Sequence, residues 1–208
     1  MADIRPFQPD DLQALYRIAL ATGDAGGDAA RLYREPKLVG HLYAAPYAIL
    51  NPETTFVAED EDGVAGYILG AADTRAFEAL AEERWWPTLR ALYDDPAGTP
   101  HGQWSPDQRL SYLIHHPWRA PHRIVEPFPS HLHIDLLPRL QGRGLGLRLM
   151  DLWLGTVRAL GSRGAHLGVN SANARAMRFY RAYGLTEPVL AKPPPAGVVW
   201  FAVKFEGD

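Results

Sequence analysis

Hydrophobic residues recur along the chain with two different periods. Short apolar or alternating runs predict β-strands, whereas repeats at every third or fourth position predict α-helices. Strands that alternate with helices, together with one hairpin, predict a mixed α/β sheet. The predicted strands cover residues 4–7, 54–59, 64–71, 131–137, 165–169, 185–190 and 198–205. The predicted helices cover residues 10–21, 145–160 and 173–183, with one or two short helices over 29–45 that are interrupted at Pro36.

Residues 73–128 differ from the rest of the chain because they combine aromatic residues with many prolines. Asp73 is placed to cap a helix, and residues 107–116 have a helical pattern. The segment is too apolar for a disordered linker. We therefore expect a helical insertion between the third and fourth predicted strands, within a single domain that spans residues 1–208.

Composition and charge narrow the classes of function. Hydrophobic residues make up 47% of the 208 positions and charged residues 22%, which is ordinary for a protein with a packed core. The formal net charge of −3 argues against a general nucleic-acid binder. The absence of cysteine excludes disulfides, cysteine nucleophiles and thiolate metal sites. Without a secretory signal or a run of about 18 apolar residues, we expect a cytoplasmic protein with no membrane partner.

A glycine-rich turn joins the strand over 131–137 to the following helix. Gly142, Gly144 and Gly146 occupy alternate positions of this turn. The start of a helix carries unpaired N–H groups and a partial positive charge, and glycine allows close approach, so the turn predicts a phosphate-binding site. It is not a P-loop, since no Lys-Ser or Lys-Thr follows it. It is not the dinucleotide fingerprint either, since Leu147 stands where that fingerprint requires glycine.

Two motifs resemble those of the GNAT acetyltransferase superfamily. The turn Gln141-Gly142-Arg143-Gly144-Leu145-Gly146 resembles its acyl-CoA signature, Gln/Arg-x-x-Gly-x-Gly/Ala, and follows a strand that ends at Pro138. About 30 residues later, the segment from Asn173 to Leu185 resembles the downstream helix, Asn-x-x-Ala-x-x-Phe-Tyr-x-x-x-Gly-Phe, with Leu185 in place of the last Phe. The stretches PSHLHIDLLP, GSRGAHLGVN and RFYRAYGL are similar to the acetyltransferase-like domain of O-GlcNAcases and its free-standing bacterial relatives. The resemblance implies the GNAT fold, a mixed, mostly antiparallel sheet flanked by helices.

This resemblance implies an acetyl-CoA-dependent N-acetyltransferase that transfers the acetyl group directly to an amine. In the family, main-chain groups of the strand before the turn pair with the pantetheine arm, and N–H groups of the turn hold the pyrophosphate. Asn173 and Tyr180 lie two helical turns apart on one face; the matching family residues contact the cofactor arm and donate a proton to the departing thiolate. The expected cofactor-binding residues are Ile134, Leu136, Gln141, Gly142, Arg143, Gly144, Leu145, Gly146, Asn173 and Tyr180.

The alternation of residues 131–137 separates the apolar side chains from His131, His133 and Asp135, which share the other face. Asp135 is the expected catalytic base for the incoming amine, with Tyr180 as the proton donor. His133, Glu126 and a water molecule remain alternatives for the base. Structural roles also fit: a buried carboxylate for Asp135, a helix N-cap for Asn173 and an aromatic core position for Tyr180. In the acceptor pocket we expect Asp73 or Glu126 to bind a cationic amine, and walls from Trp85, Trp86, Trp104, Tyr112 and Trp118.

Other functions also fit the sequence. The main alternative is a non-catalytic acyl-CoA-binding or scaffold domain of the O-GlcNAcase-associated type. The string His131-x-His133-x-Asp135 resembles part of the His-x-His-x-Asp-His string of metallo-hydrolases, and other histidines lie nearby in sequence, but Leu136 interrupts the string, so we expect no metal site. The acceptor is a small-molecule or protein amine that the sequence does not identify. The final strand is of a kind that pairs across a homodimer in the family.

Overall fold

A computed structural model describes residues 2–188 and 197–205, which form six strands and nine α-helices joined by loops and short 3₁₀ turns. The strands are β1 (Asp3–Pro6), β2 (Phe56–Asp60), β3 (Gly63–Ala71), β4 (Ser130–Leu136), β5 (Gly164–Asn170) and β6 (Val198–Lys204). The helices are α1 (Leu12–Thr22), α2 (Leu38–Tyr43), α3 (Ala45–Leu50), α4 (Thr74–Arg84), α5 (Trp86–Arg90), α6 (Pro106–His115), α7 (His122–Val125), α8 (Leu145–Ala159) and α9 (Ala174–Tyr183). No helix in these ranges is long and apolar enough to cross a lipid bilayer.

The strands form one sheet in the order β1-β2-β3-β4-β5-β6. Every neighbouring pair is antiparallel except β4 and β5, which are parallel. β5 pairs with β6 along its whole length, but β4 and β5 pair only where Ser130 meets Ala165 and His131 meets His166. The sheet is therefore mixed and mostly antiparallel, as predicted, and it opens between its two parallel strands.

Helices cover both faces of the sheet. On one face, α1, α2 and α3 share a hydrophobic core with Tyr67 and Leu69 of β3, and on the other α8 and α9 share a second core with Ile68. Alternate residues of β3 thus belong to different cores, as the two-residue period of a strand requires. Trp153 of α8 is fully buried and donates its Nε1 hydrogen bond to the main-chain oxygen of Thr54 over 3.0 Å, which holds α8 on the sheet.

Residues 72–129 connect β3 to β4 and contain α4, α5, α6 and α7. Asp73 caps α4, as predicted, by accepting hydrogen bonds from the N–H groups of Arg75 and Ala76. Phe77, Trp86 and Leu110 of this segment join the same core as α1 and α2. The connection therefore lies on the α1 side of the sheet, where the polar face of β4 also points.

Three details of the predicted elements differ from the structure. The helix expected within 29–45 begins only at Leu38, since the residues before it form turns. The strand predicted over 185–190 is limited to a single bridge between Thr186 and Ala202, and residues 189–190 lie outside the described ranges. The helix predicted over 145–160 ends at Ala159, and Leu160 beyond it is 55% exposed.

Candidate active site

The divergence of β4 and β5 opens a cavity of about 760 Å³. β4 contributes His131, His133 and Asp135, which share one face of the strand as its alternation predicts. β5 contributes residues 167–170 to the opposite wall. Beyond the two paired positions, the β4 main-chain groups that face β5 have no ladder partner there, so they are available to an extended ligand.

The glycine turn leads from the end of β4 into α8. Gly142 and Gly144 have φ values of 73° and 76°, in the left-handed region that favours glycine. Gly144 directly precedes α8 and so turns the chain into the helix. A Cβ atom at either position would meet no other atom within 4 Å. The main chain at the start of α8 is therefore uncovered on this side, as a phosphate-binding turn requires.

Gly146 differs from the other two glycines of the turn. A Cβ atom there would lie 3.2 Å from the Phe179 ring of α9, so glycine at this position allows α8 and α9 to pack closely. Leu145 is 2% exposed and belongs to the core, whereas the Arg143 side chain is exposed. The Leu145 side chain and the absence of a side chain at Gly146 therefore fix the packing of the helix, whereas the exposed Arg143 side chain can meet a charged ligand.

The Gln141 side chain ties the turn to the elements on both sides. Its Nε2 donates a hydrogen bond to the main-chain oxygen of Leu136, at the end of β4, over 2.6 Å. Its Oε1 accepts a hydrogen bond from the Arg175 guanidinium in the first turn of α9. These bonds hold the turn beside the diverging strands. They also place Arg175, a cation that sequence reasoning did not single out, next to the turn.

Helix α9 brings Asn173 and Tyr180 to the cavity. Asn173 is the N-cap of α9, since its Oδ1 accepts a hydrogen bond from the Ala176 N–H over 3.0 Å. Tyr180 is 6% exposed, and its hydroxyl bonds no described residue. The buried side-chain oxygen and nitrogen atoms without a partner, within the described ranges, are Asn51 Oδ1 and Trp200 Nε1. The Tyr180 hydroxyl therefore reaches the open volume of the cavity. Burial, and then the charge of Asp135, raise the pKa of Tyr180.

Asp135 lies on the floor of the same cavity. The Tyr67 hydroxyl of β3 donates a hydrogen bond to Asp135 Oδ2 over 2.8 Å, which is the neighbouring-strand contact expected of a buried carboxylate. Burial raises the pKa of Asp135 to about 6, and the hydrogen bond from the Tyr67 hydroxyl opposes that rise. A carboxylate with such a pKa is mostly ionised at neutral pH and can still take up a proton.

Two histidines on this face of β4 share one tyrosine hydroxyl. Tyr47 Oη of α3 lies 3.0 Å from His131 Nε2 and 3.1 Å from His133 Nε2. Burial lowers the pKa of both histidines, that of His133 to about 4, so both are neutral at neutral pH. Within residues 2–188 and 197–205, no group of three or more histidine and carboxylate side chains is arranged to hold a metal ion.

The wall opposite the sheet contains only part of the predicted aromatic set. Trp86 and Trp118 line the cavity, whereas Trp85, Trp104 and Tyr112 do not. Trp85 instead donates its Nε1 hydrogen bond to the main-chain oxygen of His41 over 3.0 Å. Trp104 packs on Tyr112 with ring centroids 4.8 Å apart. These three aromatic side chains therefore stabilise the helical layer itself.

The carboxylates predicted at the acceptor end also lie elsewhere. Asp73 is engaged as the cap of α4, and Glu126, with a 64% exposed side chain, lies 3.4 Å from His122; neither lines the cavity. Glu78 and Glu82 of α4 line it instead. Each is paired with an arginine at 2.5 Å, Glu78 with Arg75 and Glu82 with Arg90. Asp135 is thus the carboxylate on the cavity floor that has no cationic partner among the described residues.

Comparison with known proteins identifies the family. The family model described as Acetyltransferase (GNAT) family matches residues 12–185, most of the chain. The chain belongs to the GNAT acetyltransferase family. Among solved structures, this acetyltransferase-family chain is similar to SsHAT, with 36% identity, a TM-score of 0.86 and 98% of each chain covered.

Two further relatives of this GNAT chain are informative in different ways. It is 28% identical over 197 residues to protein O-GlcNAcase of Rattus norvegicus, covering 94% of this chain and 21% of the relative. The chain thus spans about a fifth of the length of the curated relatives it matches. It is also similar in fold to yncA, a putative acetyltransferase from Salmonella typhimurium solved with its cofactor acetyl-CoA, with 15% identity, a TM-score of 0.59, and 100% and 96% of the two chains covered.

Three residues of this GNAT site were missed by sequence reasoning. Tyr47, Tyr67 and Thr74 come from α3, β3 and α4, and each bonds a polar side chain of β4. A weak signal existed for Tyr67, which stands within the apolar run of β3, where a buried hydroxyl requires a hydrogen-bond partner. For Thr74 the weak signal was its position, directly after the predicted helix cap Asp73.

Proposed function

We propose that this GNAT acetyltransferase transfers an acetyl group from acetyl-CoA to the nitrogen of an amine. One observation carries the proposal: the split between β4 and β5 opens onto a cavity that Asp135 and Tyr180 enter from different elements. One is a carboxylate able to take up a proton, and the other is a protonated hydroxyl able to donate one. Acyl transfer from a thioester to an amine releases a proton from the nitrogen and produces a sulfur that can take one up, so both functions assist it.

The residues around the split fit acetyl-CoA, which supplies an acetyl thioester when bound. The β4 main chain around Ile134 and Leu136 offers hydrogen-bonding groups to the pantetheine arm. The uncovered turn at Gly142 and Gly144 accommodates the pyrophosphate at the start of α8, where the helix dipole favours negative charge. Arg143 adds a charge-assisted contact. Asn173, through the amide nitrogen that its capping bond does not use, faces the cofactor arm.

Asp135 acts as the general base in this proposal. Its pKa of about 6 leaves it mostly ionised at neutral pH, so it accepts a proton from the amine nitrogen as that nitrogen forms its bond to the acetyl carbon. The Tyr67 hydrogen bond holds the carboxylate in place during this transfer. His133 and water are the other base candidates inside the cavity, whereas Glu126 lies outside it.

Tyr180 acts as the proton donor in the same step. Its raised pKa keeps the hydroxyl protonated at neutral pH, and that hydroxyl is not committed to another described residue. It donates its proton to the departing sulfur, which would otherwise leave as a thiolate. No covalent enzyme intermediate is needed, and the chain has no cysteine to form one.

A second function is favoured by the similarity to O-GlcNAcase, which covers 94% of this chain. In that reading the domain binds acyl-CoA and serves as a scaffold without catalysis. Asp135 and Tyr180 together at one cavity favour catalysis, since a pure scaffold requires neither a buried ionisable carboxylate nor an uncommitted hydroxyl. A cytoplasmic location, and a homodimer that pairs through the final strand, stay predictions.

Two measurements on the wild-type protein test the proposal. Isothermal titration calorimetry with acetyl-CoA measures binding, and release of the free CoA thiol is then followed with a panel of small amines, aminosugars and lysine peptides. We expect stoichiometric binding and thiol release that depends on at least one amine. Binding without amine-dependent release would support the scaffold function, and absence of binding would overturn both functions.

A further inference from the structure

A chain of hydrogen bonds runs from a main-chain carbonyl to His133, and its polarity follows from the valence of each member. Thr74 Oγ1 lies 2.6 Å from the Pro129 carbonyl oxygen, which can only accept, so the one hydroxyl proton of Thr74 is committed to it. His131 Nδ1, 2.8 Å from the same Oγ1, must therefore carry a proton and donate it. A neutral His131 then has a bare Nε2.

The same reasoning continues through Tyr47. Because His131 Nε2 is bare, the Tyr47 hydroxyl donates its one proton to it over 3.0 Å. Tyr47 Oη can then only accept from His133 Nε2, 3.1 Å away, so that nitrogen carries the proton of the neutral ring. His133 Nδ1 is left as a lone pair. It bonds no described residue and is not among the buried unpartnered atoms, so it contacts the cavity that His133 lines.

We propose that Thr74, His131 and Tyr47 form a tautomer lock that keeps His133 as a hydrogen-bond acceptor, with its Nδ1 lone pair directed at the acceptor amine. Because a backbone carbonyl ends the chain, the lock cannot carry a proton away from the site. Its three members are positioning residues, since they act on the substrate only through His133. This inference rests on the proposed function for the identity of the ligand.

The lock defines how an amine is oriented. His133 and Asp135 are two residues apart on one strand face, so their side chains start about 7 Å apart, and a nitrogen between them can reach both. Both groups accept hydrogen bonds and neither donates, so they take the two N–H groups of a neutral primary amine. The nitrogen lone pair is then directed away from both, free to attack. A secondary amine, with one N–H group, leaves one acceptor without a partner.

The lock is tested first by the tautomers themselves, which two-dimensional ¹H–¹⁵N NMR of the histidine rings reports without any substrate. We expect His131 in the Nδ1–H form and His133 in the Nε2–H form. In Thr74→Val the Nδ1 acceptor of His131 is lost. Its proton is then expected to move to Nε2, reverse the Tyr47 bond and give His133 a population of the Nδ1–H form. Thr74→Ser keeps the hydroxyl and should retain the wild-type tautomers.

A matched pair of tyrosine variants separates the lock from general destabilisation. Tyr47→Phe removes the link between the two histidines, so an added Thr74→Val change should no longer alter His133. Tyr16→Phe removes a comparable tyrosine–histidine bond, the 2.8 Å contact with His41, outside the cavity, and should leave both tautomers of β4 unchanged. An Nδ1–H form of His133 in the wild type, or a His133 that ignores Thr74→Val, would overturn the lock.

Kinetics with the best amine from the acceptor screen tests the role of the lock. In Thr74→Val, kcat/KM for the amine should fall about tenfold, the usual scale of one lost hydrogen bond. KM for acetyl-CoA should change little, and Thr74→Ser should restore kcat/KM for the amine. The wild type should also prefer the primary amine over its N-methyl form. Equal losses for both substrates would assign Thr74 a merely structural role. If no amine is acetylated, the proposed function fails, whereas the NMR result still decides the lock.

Discussion

The two ends of the cavity are built in different ways. At the glycine turn, six consecutive residues, 141–146, form the whole feature, and the ligand is expected to contact main-chain groups. On the floor beside His131 and Asp135, the groups are side chains, and their partners Tyr47, Tyr67 and Thr74 come from three elements distant in sequence. The first end depends on backbone conformation and the second on side-chain chemistry, so substitutions at the two ends should affect different steps.

The largest expected effect is on the rate after Asp135→Asn. The amide cannot accept a proton from the amine, so kcat should fall by about 10² to 10⁴, the range of general-base catalysis. The affinity for acetyl-CoA should stay within about threefold, since the carboxylate belongs to the acceptor end. Steady-state thiol release and calorimetry measure the two quantities. A wild-type kcat in this variant would show that His133 or water, and not Asp135, is the base.

Gly144→Val is expected to affect the opposite end of the cavity. A β-branched residue is strained at a φ of 76°, and its side chain would fill the uncovered space before α8. The affinity for acetyl-CoA should fall at least about a hundredfold, which is nearly 3 kcal/mol. Gly155→Val, in open space within the same helix, is the matched control and should bind normally. Unchanged affinity in Gly144→Val would refute the pyrophosphate assignment.

Tyr180→Phe is expected to lower turnover rather than binding. Loss of the hydroxyl removes the proton for the departing sulfur while the ring keeps its contact with Phe201, at 5.4 Å between centroids. We expect kcat to fall about 10² fold, the low end of the range for a general acid. Calorimetry with acetyl-CoA should show little change. An intact kcat would mean that the thiolate leaves without help from Tyr180.

The raised pKa of Asp135 also predicts how the stability of the protein depends on pH. Its pKa is about 6 in the folded protein and about 3.9 in an unfolded chain, so the folded state binds this proton more tightly. The tighter binding of this proton in the folded state stabilises the protein fully below pH 4, and this stabilisation is lost as the pH rises through about 6. The shift corresponds to roughly 3 kcal/mol, so Asp135→Asn should gain about that much relative to the wild type between pH 4 and 7.

Urea unfolding at several pH values measures this difference. Asp151→Asn is the matched control, because Asp151 accepts a bond from Tyr183 at the protein surface instead of in the cavity. Parallel stability curves for the wild type and Asp135→Asn would show that Asp135 is solvated in the folded state, and its assignment as a tuned base would then fail.

The smallest effect is expected for Gly146→Ala, which tests whether the glycines of the turn have separate roles. The added methyl group would lie 3.2 Å from Phe179, so the ring must shift by a few tenths of an ångström. We expect a loss of about 1 kcal/mol in unfolding free energy from this overpacking and an almost unchanged affinity for acetyl-CoA. A large loss of affinity would instead place Gly146 in the phosphate site.

The difference between the two ends also explains what the sequence alone could predict. Signals within a few consecutive residues predict the strands, the helix caps at Asp73 and Asn173, and the glycine turn. The two family motifs are signals of the same local kind, in the glycine turn and in the helix that follows Asn173. The acceptor end depends on which helices pack over β4. Asp73 and Glu126 were reasonable acidic candidates by position, but Glu78 and Glu82 face the cavity because of the way α4 packs on the α1 side of the sheet.

The hydrogen bonds of Tyr47 to His131 and His133 could be predicted from the sequence even less well. The alternation of β4 correctly placed His131 and His133 on one face, yet nothing local links them to a tyrosine more than 80 residues earlier. Such a contact is set by the tertiary packing of α3 against the sheet. Sequence periodicity predicts which side chains point into a site, but it does not predict their hydrogen-bond partners.

A structure of the protein bound to acetyl-CoA would test both ends of the cavity at once. We expect the pantetheine arm to lie in the split between β4 and β5, the pyrophosphate at Gly142 and Gly144, and the thioester beside Tyr180 and Asp135. Acetyl-CoA bound away from the split, or with its thioester directed away from Asp135 and Tyr180, would contradict this expectation.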